Sequence, residues 1–138
     1  MRQMIKQEDD MGCGVACVAF LAGKTYQQAV NILGQDKART VGFHLQELVD
    51  ALSEFGLTYH FMHVKPKMKQ SIYHEGTIVF IKRSTRYPYG HYIVRHNGQW
   101  ADPWVNLVID RDHKNAKSGY RKILPGTAQW AVLPSRTD

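Results

Sequence analysis

Asn97-Gly98 lies between two apolar-rich runs, HYIVRH and QWADPW, and a two-residue Asn-Gly turn pins the pairing of the segments on either side. The register follows by counting outward from the turn. His96 opposes Gln99, Arg95 opposes Trp100, Ile93 opposes Asp102 and His91 opposes Trp104. Opposed residues share a face, and so do alternate residues, so His91 and Asp102 are diagonal neighbours on one face of this hairpin. Pro103 cannot donate to a ladder and ends or edges the second strand.

Around that hairpin the patterning divides the chain into helices first and strands afterwards. CGVACVAFLAG is a run of small and apolar residues that predicts a helix starting near Cys13 and closed by Gly23. Thr25-x-x-Gln28 resembles a capping box and opens a short helix ending at Gly34. Leu45, Leu48, Val49 and Leu52 recur at i, i+3, i+4, i+7, the stripe of an amphipathic helix that stops at Gly56. LTYHFMHV alternates well enough for a strand, TIVFIKR reads as a more buried one, and KPKMKQSIYHEG between them reads as a polar connection. Further strands are predicted at His91–His96, Gln99–Asp102, Val105–Ile109 and Gln129–Leu133. The expectation is an α+β fold, one domain over residues 1–138, with the Cys13 helix packed on a mostly antiparallel sheet. With 43% hydrophobic residues over 138 positions, the chain can bury a core of that kind.

Chemistry enters with Cys13. A cysteine attacks as its thiolate, and a free thiol with a pKa of about 8.5 is mostly protonated at neutral pH. Backbone N–H groups and the positive end of a helix dipole at Cys13 would favour the anion, and a nearby imidazole would favour it further. Asp102 would hold one nitrogen of the His91 ring as N–H and leave the other to exchange a proton with Cys13. Gln7 completes the set if its side-chain amide, with the backbone N–H of Cys13, points at the oxygen that becomes negative in a tetrahedral intermediate. Such donors are worth about 2.7–4 kcal/mol each.

The order Gln7, Cys13-Gly14-x-Ala16, His91, Ala101-Asp102-Pro103 resembles the C39 peptidases, the papain-like double-glycine leader peptidases usually found as cytosolic N-terminal domains of bacteriocin-exporting ABC transporters. The resemblance runs from about Met4 to Trp104 and takes in GKTYQQAVNILG and LQELVDALSEFGL as the family's second and third helices. It implies a papain-like cysteine peptidase fold, with Cys13 as nucleophile, His91 as general base and acid, Asp102 as orienter and Gln7 as oxyanion donor. It also implies a peptide or protein substrate cut after small residues such as Gly-Gly, in an acidic or amphipathic leader. Gly12, directly before the cysteine, departs from the acidic residue usual there. No transmembrane run or ATP-binding segment follows, so the resemblance is to a free-standing version whose ABC exporter, if it serves one, would be a separate chain.

The remaining features call for plainer readings. Cys17 falls one helical turn below Cys13 and reads as a small buried hydrophobe. The other histidines are scattered, and Cys13, Cys17, His91 and Asp102 make a weak ligand pattern for zinc, so neither metal nor cofactor is expected. Trp100 and Trp104 share the His91 face and suit either a cleft wall or the core. Tyr87, Pro88, Tyr89 and Gly90 read as a loop at the cleft rim, with Tyr89, Gly90 and Trp104 as candidate substrate contacts. The net charge of +6 comes from separated clusters at Lys65–Lys69, Lys82–Arg86 and Arg111–Lys122. They carry no nucleic-acid motif and read as a solvated basic surface, so no nucleic acid is expected. With no apolar stretch of signal-peptide or membrane-spanning kind, the chain is expected to be cytoplasmic and not membrane-embedded. Two other functions remain open on the residues alone: a papain-like amidase, deamidase or acyltransferase using the same thiol, or a non-catalytic peptide- or nucleic-acid-binding module.

Overall fold

The helix that begins at Cys13 is apolar on every side, and a helix of that composition is stable only when it is surrounded. In the computed structural model, which describes residues 2–135, α1 (Cys13–Ala22) is that central helix, with Gly14 through Phe20 all buried. Gly23 ends it in the left-handed region at φ 66°, with its N–H turned back to the carbonyls of Ala19 and Phe20. Thr25 and Gln28 form the reciprocal capping box that opens α2 (Tyr26–Leu33). A further short helix, α3 (Gln35–Arg39), follows Gly34 directly; five residues are too few to show a period in sequence. In α4 (Leu45–Glu54) Leu48, Ala51 and Leu52 form the buried stripe, and full burial of each leucine contributes about 1.5–3 kcal/mol.

Six strands follow among the described residues: β1 (Tyr59–His63), β2 (Ile78–Ile81), β3 (His91–His96), β4 (Gln99–Asp102), β5 (Gly119–Arg121) and β6 (Ala128–Pro134). They form one sheet in the order β1-β6-β2-β3-β4-β5, with every pairing antiparallel. Asn97 and Gly98 both have positive φ, 49° and 76°, as a tight hairpin turn of the primed kind requires. The register pairs Arg95 with Trp100 and His96 with Gln99, as counted from the turn. Alternation sends the sheet's side chains into two cores. Ile78, Tyr92, Val94, Ala101 and Val132 face α1, α2 and α4. Val79, Ile81, Ile93, Trp100 and Leu133 point the other way, under Ile72, Tyr87, Leu107 and Val108.

Three segments differ from the sequence reading. Residues Val105–Ile109 form consecutive turns and not a strand: Leu107 N–H donates to Trp104 O, and Ile109 N–H to Asn106 O. The cause is Asn106, whose side-chain amide donates to Asn115 O at 3.1 Å and accepts from Lys117 N–H at 2.9 Å, competing with any ladder. The polar connection between β1 and β2 contains a 3₁₀ helix, Pro66–Tyr73, that buries Ile72 against the sheet. β5 was not anticipated at all; it is three residues long and lies within a polar stretch.

Candidate active site

Cys13 is the first residue of α1 and is partly exposed. Ala16 N–H donates to Gly12 O at 3.0 Å, and the N–H groups of the first turn before it have no acceptor along the helix. No side chain caps them, because residue 12 has no room for one. A Cβ on Gly12 would lie 2.0 Å from Tyr26 Oη, which donates to Asp9 Oδ2 at 2.8 Å. The open end of the dipole therefore faces Cys13.

His91 begins β3 and Asp102 ends β4, on the same face and diagonal to one another. Both are buried, and His91 Nε2–H donates to Asp102 Oδ1 at 2.6 Å. Oδ1 also accepts Trp104 N–H at 2.9 Å, while Oδ2 accepts Arg121 Nε–H at 2.8 Å. Burial opposes charge on the imidazole, but the Asp102 carboxylate bonded to it, with Cys13 nearby acting in the same sense, outweighs burial and holds His91 well above its ordinary range. Burial likewise opposes charge on Asp102, but His91, Arg121 and the Trp104 N–H hold its carboxyl below the ordinary range. With Nε2 committed to Asp102, Nδ1 is the nitrogen left for Cys13. Tyr87 lies flat on the imidazole, ring centres 5.2 Å apart and planes within 8°. The chain returns from Tyr87 to His91 through Gly90 at φ 75°, where a Cβ would meet the Phe80 ring at 2.0 Å.

Gln7 is buried beside this group, and its backbone N–H donates to Pro103 O at 3.1 Å. Its Nε2 donates toward Asp9 O at 3.0 Å and Asp10 O at 3.2 Å, and its Oε1 has no partner among the described residues. Cys17 lies wholly buried one turn below Cys13, where burial first, and then the charges of Cys13 and Asp102, push its thiol far up; it stays protonated. A cleft of about 1030 Å³ opens above the group, with Gln7, Cys13, His91, Tyr89, Gly90 and Trp104 in its lining. Apolar side chains including Val41, Phe43, Phe61, Phe80 and Trp130 form much of the rest, with Arg39, Arg83 and Arg111 among them. The segment after Trp104 ties the two walls together. Arg111 donates to the carbonyls of Thr85 and Arg86 in the loop before His91, and His113 pairs with Asp10 ahead of Cys13 at 2.8 Å.

Of the residues singled out in sequence, Gln7, Cys13 and His91 line one cleft together with Trp104, Tyr89 and Gly90, and Asp102 is bonded to His91 behind it. Trp104 is a nearly buried wall, whereas Tyr89 is 68% exposed at the lip. Trp100 is elsewhere, in the second core with the Arg95 guanidinium over its ring. Tyr87 is not a rim residue open to peptide but is 1% exposed, stacked on the histidine. Arg121 was missed; only the pairing of β5 with β4 brings it to Asp102, and nothing in the local pattern marks that pairing. Surface histidines find ordinary partners, His96 with Glu75 and His60 with Ser135.

No curated protein sequence matches the chain. Among solved structures, the peptidase domain of Streptococcus ComA, described as a bi-functional ABC transporter involved in a quorum sensing pathway, superposes with a TM-score of 0.58 at 14% identity. The match covers 98% of this chain and 100% of that one, and at this identity it bears on the fold. The model of the peptidase C39 family matches residues 1–117, which span Gln7, Cys13, His91 and Asp102 but not Arg121 or Trp130. The chain therefore belongs to the peptidase C39 family, a cysteine-type peptidase of papain-like α+β fold.

Proposed function

We propose that Cys13, His91 and Asp102 form a catalytic triad that hydrolyses a peptide bond after small residues, such as Gly-Gly, in the leader of a peptide substrate. The observation that carries this reading is the buried imidazole bonded to the Asp102 carboxylate and lining the same cleft as Cys13, at the open end of α1. The Cys13 thiolate attacks the scissile carbonyl carbon and forms a C–S bond, and the carbonyl oxygen takes the negative charge. Cys13 N–H is one donor for that oxyanion and Gln7 Nε2 the other, with one of its two N–H bonds redirected from the Asp9 and Asp10 carbonyls. Collapse breaks the C–N bond as His91 gives its Nδ1 proton to the leaving amine. A water molecule then attacks the thioester as His91 takes its proton, releasing the carboxylic acid and restoring the pair.

The preference for small residues is what the resemblance to the C39 peptidases implies, and the surroundings of the sulfur are compatible with it. With His91 and Trp104 almost wholly buried and Tyr89 raised at the lip, a residue without a side chain lets its carbonyl come close. The apolar cleft with Arg39, Arg83 and Arg111 suits a leader that is amphipathic and carries acidic groups. On this reading the enzyme works in the cytoplasm with an ABC exporter as its partner, and no helix among the described residues is long and apolar enough to cross a membrane. The test is incubation with a synthetic amphipathic, acidic leader ending in Gly-Gly and followed by a cargo segment. Mass spectrometry is expected to find a single cut after Gly-Gly, lost when the second glycine becomes valine. Cleavage indifferent to that change would overturn the specificity, and transfer of the acyl group to an added amine in place of hydrolysis would overturn the reaction.

A further inference from the structure

Asp102 has a second diagonal neighbour. β5 pairs with β4 so that Trp100 opposes Arg121 and Asp102 opposes Gly119. Arg121 therefore lies diagonal to Asp102 across one strand boundary, just as His91 does across the other. We propose that Arg121 is a positioning residue of the peptidase site, holding Asp102 ionised and fixed so that His91 presents one orientation to Cys13; this rests on the triad reading above.

The carboxylate needs such a partner. It is 0% exposed, and a buried carboxylate with an unmet oxygen either protonates or turns toward another donor. Oδ1 is filled by His91 Nε2–H and Trp104 N–H, and Oδ2 is met by Arg121 Nε–H at 2.8 Å. The guanidinium is itself immobilised, since Nη2 donates to Val105 O at 2.8 Å and reaches Tyr87 Oη at 3.4 Å. One side chain thus touches the carboxylate, the backbone after Trp104, and the ring stacked on His91. Arginine does not lose its proton in the working range, so Asp102 keeps a cation at its back at any pH where the thiol chemistry runs. A neutral Asp102 would no longer hold Nε2–H, and the ring would be free to present either nitrogen. The added positive charge also favours the thiolate. Lysine at this position would keep the charge but could not reach Oδ2 and Val105 O together. Arg121 lies beyond the residues that the family model matches, so its part in the site is read from this chain's own β5.

The test is the rate of Cys13 alkylation by iodoacetamide against pH, read by peptide mass spectrometry, in wild type, His91→Ala, Arg121→Gln and Arg121→Lys, with a melting temperature for each. Arg121→Gln is expected to move the acid limb of the wild-type profile up by about one pH unit, the loss expected for one charge-assisted hydrogen bond. Arg121→Lys is expected to move it in the same direction by less, with melting close to wild type. Arg121→Lys decides the matter where the glutamine variant does not fold. A limb that depends on His91 and stays in place in the folded Arg121 variants, even with lowered melting, makes Arg121 merely structural and overturns the role. A wild-type profile that does not depend on His91 overturns the triad reading, and this inference with it.

Discussion

Cys13→Ala removes peptide hydrolysis, with turnover lower by on the order of a million-fold, while the protein still melts cooperatively near the wild-type temperature. Loss on that scale is expected because no neighbouring group can replace the sulfur. Cys17 is four residues along the same helix, but it is fully buried and its thiol is held protonated, so it offers neither an exposed atom nor an anion. The fold tolerates the change because Cys13 is partly exposed at the start of α1 and alanine is the best helix former. What holds α1 in place is Val15, Val18 and Phe20 packed against the sheet and the flanking helices, and these are untouched. Peptide cleavage followed by mass spectrometry, with a thermal melt by circular dichroism, checks both halves. Turnover that survives would remove Cys13 from the nucleophile's role.

Asp102→Asn lowers turnover by on the order of 10⁴-fold, less than His91→Ala does, and it also destabilises the protein by about 3 kcal/mol. Both effects come from one geometric fact. The carboxylate accepts from three donors, His91 Nε2–H, Trp104 N–H and Arg121 Nε–H, on its two oxygens. An asparagine has a single acceptor oxygen, and its NH₂ must then face at least one of those donors. If it faces His91, the ring takes the wrong tautomer for Cys13; if it faces Arg121, a largely buried cation is left unpaired. The pH dependence separates this from a general loosening. The Asp102 carboxyl is lowered in the folded state, from the usual 3.8 to about 2, so its stabilisation is present above 3.8 and is lost as pH falls through about 2. His91 is raised from 6.5 to about 10, so its stabilisation is present below 6.5 and is lost as pH rises through about 10. The wild-type melting temperature is therefore expected to fall at both extremes. The Asp102→Asn protein should be lower in the middle and flatter, converging on wild type in acid. Parallel curves at all pH values would contradict the ionised pair.

How much could be read in advance depended on how local the cause was. The Asn97-Gly98 turn acts over two residues, and counting from it placed His91 and Asp102 as the diagonal pair now found 2.6 Å apart. The apolar α1, its Gly23 stop and the Thr25–Gln28 box are likewise set within one or two turns of helix. Where distant partners decide, the pattern misled. Val105–Ile109 is apolar enough for a strand, but Asn106 bonds to Asn115 and Lys117, so the segment turns. Ile72 is the one buried residue of the 3₁₀ helix Pro66–Tyr73, and a single residue has no period. Tyr87 looked like part of an open loop because nothing local shows that the chain doubles back at Gly90 to lay its ring on His91. Arg121 is the extreme case: its position depends on a three-residue strand pairing across the 16 residues between Asp102 and Gly119, and its sequence neighbours are merely polar.

An ion pair between Cys13 and His91 is measured most directly by the pH dependence of Cys13 alkylation in wild type and in His91→Ala. Wild-type Cys13 is expected to be alkylated faster than Cys13 of His91→Ala at and below neutral pH, and Cys17 is expected not to react in the folded protein. A Cys13 alkylated at the same rate in both proteins across the pH range would contradict the pair.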